Sequence, residues 1–265
     1  HYRTLWLSDI HLGNRDCKAE YLLSFLDSIT VDTLYLVGDI VDMWQMTKQF
    51  RWPKAHNQVM HKFMQMSQDG TRVVYLPGNH DEPIQSYSGM AFGDIEIERE
   101  LVHTTAQGKR YLVLHGDQFD GDVTMGKFHA WIGDKGYDLL LFLNREFNRL
   151  RAWRKREYWS LAGYIKKHIK GANEAIARYR EACCRRADEM GLDGVVCGHI
   201  HHPESSFESS FENGIHYIND GDWIENCSAL SEDVNGNLSL IHYLDSLESA
   251  TVTPITTKTS RSEAA

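Results

Sequence analysis

The chain has 265 residues, 42% of them hydrophobic, enough for one sizeable α/β domain that needs neither a metal nor a disulfide merely to fold. A net charge of −9 argues against a general nucleic-acid binder. The five cysteines, Cys17, Cys183, Cys184, Cys197 and Cys227, show no paired C-x-x-C spacing, which points away from a disulfide framework or a zinc–thiolate site.

In chain order, the β-branched and aromatic run Thr4 to Leu7 predicts a first strand, and Tyr21, Leu22, Phe25, Leu26 and Ile29 predict a helix after it. Leu34 to Val37 predicts a second strand, followed by a helix carrying Val59, Met60, Phe63, Met64 and Ser67. Further strands are expected at Val73 to Leu76, Tyr111 to Leu114 and Val195 to Cys197. Alternating strands and helices predict an α/β sheet. From about residue 122 to 190 the strand pattern stops. Leu139, Leu140, Leu143, Phe147 and Leu150, then Trp159, Ala162, Ile165 and Ile169, predict a helical insertion above the edge of the sheet, a lid or cap within a single domain over residues 1–250. His216 to Ile218 and Leu238 to Tyr243 follow without a helix between them, and Asn235-Gly236-Asn237 marks a hairpin turn. A Ser- and Thr-rich tail, 251–265, is expected to be loose.

Charge is uneven. Arg145 to Arg186 holds 13 Lys or Arg against 4 Asp or Glu, a net +9 that leaves −18 for the remainder. A basic element is thus joined to an acidic body. No stretch resembles a leader or approaches membrane-spanning length, so a cytoplasmic protein is expected, at most peripheral to a membrane.

The chemistry lies just after the strands. Asp9 and His11 stand in S-D-I-H, Asp39 in G-D-I-V-D, Asn79 in G-N-H-D, His115 in H-G-D, and His199 and His201 in G-H-I-H. Carboxyl ends of strands in an open α/β sheet form its usual binding edge, so five such ends can converge. Oxygen and imidazole donors without thiolate suit manganese, iron, zinc or nickel. Glycines before Asp39, Asn79 and His199 let the backbone come close to a metal or phosphate. D-x-H and H-x-H are expected to put both side chains on one side of an extended segment. Two ions roughly 3.5–4 Å apart share a carboxylate, for which Asp39 is the candidate, and activate water for attack on phosphorus. His80 is the candidate general acid, with Asp81 fixing its tautomer.

This set of motifs resembles the calcineurin-like metallophosphoesterases over about residues 4 to 245. The resemblance implies an α/β fold of αββα layers with two sheets, and two metal ions. Asp9, His11, Asp39 and His201 would hold one, and Asp39, Asn79, His115 and His199 the other. It also implies that His80 acts as acid or transition-state stabiliser. The size, the basic insertion after H-G-D and the run G-D-I-V-D-M-W look similar to the bacterial UDP-2,3-diacylglucosamine pyrophosphatases of lipid A synthesis. Those enzymes have Arg in place of His80, a departure that leaves the substrate open. The expected partner is a phosphoester, a UDP-linked lipid at the inner membrane surface first, with no nucleic acid. Soluble nucleotides or other phosphoesters are the alternative substrates, and a non-catalytic scaffold or nucleic-acid module is the remaining reading.

A lone D-x-H or H-x-H is usually accidental; the ordered set is not. Asp42 and Asp117 are expected to hold loops rather than a metal, and His56, His61, His202 and His216 to be surface or core histidines. Cys197 reads as a small buried side chain. Asp120 and Asp122 could border the substrate, or sit in a solvated loop. Lys166, Lys167 and Lys170 share about one helical turn and could grip a diphosphate, against the ordinary alternative of a solvated helix face. Trp153, Tyr158, Trp159 and Tyr164 are interleaved with these charges and could meet acyl chains or a base, although aromatics on helices more often simply pack.

Overall fold

In the computed structural model, residues 1–120, 147, 151, 153 and 170–245 are described. Helices α1 (Ala19–Asp27), α2 (Met43–Lys48) and α3 (Lys54–Gln68) alternate with β1 (Tyr2–Leu7), β2 (Val31–Val37) and β3 (Arg72–Leu76). β4 (Ala91–Phe92), β5 (Ile95–Ile97), β6 (Glu100–Thr104) and β7 (Arg110–Leu114) follow. Helix α4 (Lys170–Glu189) then precedes β8 (Gly194–Cys197), β9 (Glu204–Glu208), β10 (Ile215–Asn219), β11 (Ser228–Glu232) and β12 (Leu238–His242). They form two sheets: a seven-stranded one in the order β12-β11-β1-β2-β3-β5-β4 and a five-stranded one in the order β6-β7-β8-β10-β9.

The near-continuous apolar runs have a simple cause, since strands covered on both faces must be apolar at successive positions. Leu5 and Leu7 of β1, with Leu34, Leu36 and Val73, pack under Leu22, Phe25, Val59 and Phe63 of α1 and α3. Trp6, Tyr35, Val37, Val74 and Leu76 point the other way and meet Val113, Val196 and Ile218 of the second sheet. Leu112, Leu114 and Val195 then face Tyr179, Cys183, Cys184 and Ala187 of α4. Period-two alternation therefore builds three apolar layers, and the architecture is αββα.

β1, β2, β3 and β5 run parallel, as do β7, β8 and β10, so the carboxyl ends of β1, β2 and β3 in one sheet and of β7 and β8 in the other supply one edge of the molecule. The predicted turn Asn235-Gly236-Asn237 joins antiparallel β11 and β12. Elements absent from the sequence reading are short or polar. α2 buries none of its residues, β4 is exposed, and β9 is a half-exposed edge strand. β11 reads S-A-L-S-E yet is buried throughout, because it lies between β1 and β12.

The expected insertion over 122–190 needs correction at its end. Tyr179, Cys183, Cys184 and Ala187 are fully buried against the second sheet, so α4 is an outer layer of the body there rather than a cap above an edge. A buried stripe at positions i, i+4 and i+8 of a helix has to lie on a sheet face. The rest of that segment and the 251–265 tail lie outside the described residues.

Candidate metal centre

The loops that leave the strand ends are not extended. Among the described residues six non-glycines adopt positive φ, and five of them are Asp9 (50°), His11 (53°), Asp39 (54°), His199 (70°) and His201 (51°); the sixth is Cys227. The expectation that D-x-H and H-x-H reach one side through an extended segment is therefore replaced by left-handed turns that aim each side chain separately. For L-residues this conformation costs roughly 1–2 kcal/mol apiece and persists where the surroundings over-determine it.

Their side chains meet in two adjoining groups. Asp9, His11 and His201 offer donor atoms within 4.8 Å of one another, as do Asp39, His115 and His199. His201 Nε2 lies 3.1 Å from Asp9 Oδ1 and 3.3 Å from His11 Nε2. Asp39 stands between the groups, its Oδ2 3.7 Å from His11 Nε2 and 3.4 Å from His115 Nε2. The glycines act as expected. A Cβ on Gly78 would fall 2.5 Å from Asp39 Oδ1 and 2.6 Å from His115 Nε2, and one on Gly198 would fall 2.4 Å from Asp9 Oδ2.

Asp9 Oδ1, Asn79 Oδ1 and His115 Nε2 are buried and make no hydrogen bond. Buried polar atoms normally have partners, and three such atoms in one oxygen- and nitrogen-rich cluster are what a divalent ion would satisfy. His115 Nδ1 bonds the Val37 carbonyl at 2.9 Å, which fixes the ring with Nε2 toward Asp39. His199 Nε2 bonds Asp120 Oδ1 at 2.7 Å.

The electrostatics fit the same use. Burial works to raise the Asp9 carboxyl, but His201 and His11 outweigh it and hold Asp9 well below the usual carboxylate range. Burial likewise opposes charge on Asp39, and His115 and His11 keep it low. His11 and His115 are driven well above the usual imidazole range, against their burial, by Asp42 and Asp9 for the one and Asp39 for the other. Protons and a dication compete for such positions.

His80 lies beside this cluster, with Nε2 4.0 Å from Asp39 Oδ2. The partner expected for it is corrected: Asp42, not Asp81, bonds His80 Nδ1, at 2.9 Å. Asp42 Oδ2 is also 3.4 Å from His11 Nδ1, and its side chain caps α2 by accepting from the Gln45 amide. Asp42 is thus close to two rings of the centre, as well as holding its loop. Trp44, the second residue of α2 and about half exposed, lies tilted against His80 with ring centroids 4.5 Å apart. Asp81 instead turns inward and accepts from the Ile40 amide at 2.8 Å, the Gly78 amide at 2.5 Å and the Tyr75 hydroxyl at 2.5 Å. The residue after His80 points to the opposite side of the chain and meets the backbone of the neighbouring loop.

Asp117 pairs with Arg99 at 3.3 Å, and Cys197 is buried as expected. His56 is a core histidine that accepts from the Gly13 amide, while His216 bonds Tyr111 and Ser205 on the second sheet. Asp122, Lys166 and Lys167 lie outside the described residues; Lys170 opens α4, its side chain likewise outside them. The sequence reading missed the loop Asn219-Asp220-Gly221-Asp222-Trp223. Asn219 donates to the Gly198 carbonyl at 2.6 Å, Asp220 accepts from Ser8 at 2.6 Å, and the Trp223 amide donates to the Asp9 carbonyl at 3.1 Å. The available signal was that N-D-G-D follows β10 as the other polar clusters follow their strands.

A model of the calcineurin-like phosphoesterase family matches residues 2–203. The chain belongs to this family. It is accordingly a metal-dependent phosphoesterase, a hydrolase, and it carries clustered carboxylate and imidazole groups that could hold a metal ion. Curated relatives of this phosphoesterase include proteins named UDP-2,3-diacylglucosamine hydrolase. The one from Photorhabdus laumondii is 31% identical over 43% of this chain and 48% of its own length. Those from Chromohalobacter salexigens (26% identical, 76% of this chain and 80% of that protein) and Xanthomonas campestris (25%, 88% and 96%) align over more of their length. Among solved structures, the E. coli phosphoesterase YfcE is 12% identical, with a TM-score of 0.43 over 91% of this chain and 98% of that one.

Proposed function

We propose that the chain hydrolyses a phosphate ester or phosphoanhydride with two divalent ions, manganese first. Asp9, His11, Asp39 and His201 would hold one, and Asp39, Asn79, His115 and His199 the other. The observation that carries this reading is the gathering, in strained left-handed turns, of five of these residues from strand ends of both sheets. Stability alone gives no reason to keep that strain. When bound, the ions supply Lewis-acid activation of water and neutralise phosphate oxygens. His80 gives a proton to the leaving oxygen from Nε2, and Asp42, bonded to Nδ1, holds the ring in the orientation for it.

The relatives' names support a UDP-2,3-diacylglucosamine-like substrate, met from the cytoplasm at the inner membrane surface. Asp122, Lys166, Lys167 and Lys170 are proposed as its contacts. No helix among the described residues is long and apolar enough to cross a membrane. A second reading, a phosphodiesterase or phosphatase of soluble nucleotides, is favoured by His80 in G-N-H-D, where the lipid A enzymes carry Arg.

The test is hydrolysis by metal-stripped protein with Mn²⁺ added back, on the diacylated UDP-sugar and on an aryl phosphodiester in parallel. Turnover of the lipid with release of UMP is expected, and Asp39→Ala or His115→Ala should remove it by at least about a hundredfold. Preference for the soluble ester would overturn the lipid assignment. Full activity of both variants would overturn the metal centre.

A further inference from the structure

Tyr179 is the one tyrosine on the buried stripe of α4. Its hydroxyl, wholly removed from solvent, donates toward two carbonyls: His115 at 3.2 Å and Gly198 at 3.3 Å. These belong to the turns after β7 and β8. One turn carries His115, and the other carries His199, whose ring lies tilted 5.9 Å from that of Tyr179. The same two turns are joined directly by the Gly198 amide, which donates to the His115 carbonyl at 3.2 Å, while the Gly198 carbonyl also accepts from the Ile200 amide at 2.9 Å and from Asn219 at 2.6 Å. The phenol therefore closes a buried knot, as the second donor to the His115 carbonyl and the third to that of Gly198. The glycine of H-G-D is shaped by this contact: a Cβ on Gly116, at φ 108°, would fall 1.7 Å from Tyr179 Oη.

Packing alone does not call for the hydroxyl. The neighbours on the stripe, Cys183, Cys184 and Ala187, are small and fill the interface with the second sheet. A phenylalanine would occupy the same volume and bring no buried polar group that needs a partner.

We propose that Tyr179 is a positioning residue for the half of the centre built from His115 and His199, setting the spacing of those two ligands from the helix side. The proposal rests on the two-ion reading above. It assigns Tyr179 a larger effect on that ion than on the other, because among Asp9, His11 and His201 the recorded link to the bonded peptides is the His199 amide, which donates to Asp9 Oδ2 at 2.8 Å. Removing the hydroxyl frees the two turns to shift relative to each other while the ring still fills its place.

The experiment is Mn²⁺ titration calorimetry of metal-stripped wild type, Tyr179→Phe and Cys184→Ala, with thermal melting of each metal-free protein. Wild type is expected to bind two ions. Tyr179→Phe should bind one ion about tenfold more weakly, in the range of lost outer partners of metal ligands, and change the other clearly less. Cys184→Ala, on the same buried stripe, should lower the melting temperature and leave both affinities alone. Unchanged affinities in Tyr179→Phe, or equal weakening of both ions, would overturn the inference while leaving the two-ion reading intact. Cys184→Ala weakening the same ion to the same degree would reduce Tyr179 to helix packing and overturn it too. Wild type that takes up no second ion would overturn the two-ion reading itself, and this inference with it.

Discussion

At the residue scale, a carboxylate three residues beyond a proposed ligand organises the chemistry. Asp42 bonds His80 Nδ1, lies close to His11 Nδ1 and caps α2, so one side chain connects the proposed acid, a proposed ligand and a local fold. His80→Asn should lower kcat by about 10²–10⁴-fold, the usual contribution of a positioned general acid, with bound manganese unchanged by elemental analysis. Asp42→Asn leaves the ring in place with a weaker partner, and a smaller fall of about 10–100-fold is expected. Wild-type kcat in His80→Asn would remove it from the mechanism. Loss of metal in that variant would instead make it a ligand.

At the element scale, the loops after β2 and β3 carry Asp39, Asn79 and His80, and Asp81 ties them together. Burial and the neighbouring Asp39 carboxylate push the Asp81 carboxyl above its ordinary range, while the Tyr75 hydroxyl and the Ile40 amide pull it back. Asp81→Ala would strand the Ile40 and Gly78 amides and the Tyr75 hydroxyl in the interior. Each buried group left without a partner costs about 1–3 kcal/mol, so a loss of at least about 2 kcal/mol is expected in urea unfolding. An unchanged urea midpoint would show that these loops hold their shape without Asp81. The sequence reading gave Asp81 a role in the acid because it follows His80 directly. Adjacent residues in a tight turn point to opposite sides, and only the register of the loops decides which meets Asp42.

At the scale of the whole molecule, Glu232 fastens the two sheets. It lies on β11 of the first sheet, fully buried, and accepts from Arg3 and Thr4 of β1 at 2.7 and 2.8 Å. It also bonds His103 of β6 at 2.9 Å and the Ala106 amide at 2.7 Å, across the gap between sheets. Burial alone would raise its carboxyl, but the Ala106 amide, Thr4 and Arg3 outweigh that and hold it below the ordinary range. Burial pushes His103 down despite Glu232. The signs agree. Below about pH 6.5 the unfolded chain takes up a proton at His103 that the folded chain resists. The Glu232 contribution is complete above the unfolded value near pH 4.3 and is lost as pH falls through the lower folded value. Glu232→Gln should cost about 1–3 kcal/mol at pH 7 in urea unfolding, and the gap to wild type should narrow between about pH 5 and 3. A gap that stays constant with pH would mean that its charge contributes nothing to holding the sheets together.

By itself the sequence determined the apolar strands β1, β2, β3, β7, β8 and β10, the α/β class and the proposed ligands, because two-sided burial writes continuous apolar runs and an oxygen- and imidazole-rich centre demands particular residues after them. Asp9 to His11, Asp39, Asn79, His115 and His199 to His201 could all be read this way, since each stands just past a strand whose apolar run is local. The short or polar elements α2, β4, β5, β6, β9 and β11 left no such mark. Only the tertiary structure decided that Asp42 and not Asp81 meets His80, that α4 is a layer of the body, that Asn219 to Trp223 brace the centre, and that Tyr179 spans two turns. Each of these is a contact between segments far apart in the chain or on opposite sides of a turn. Such contacts are set by packing and register rather than by the local pattern of residues.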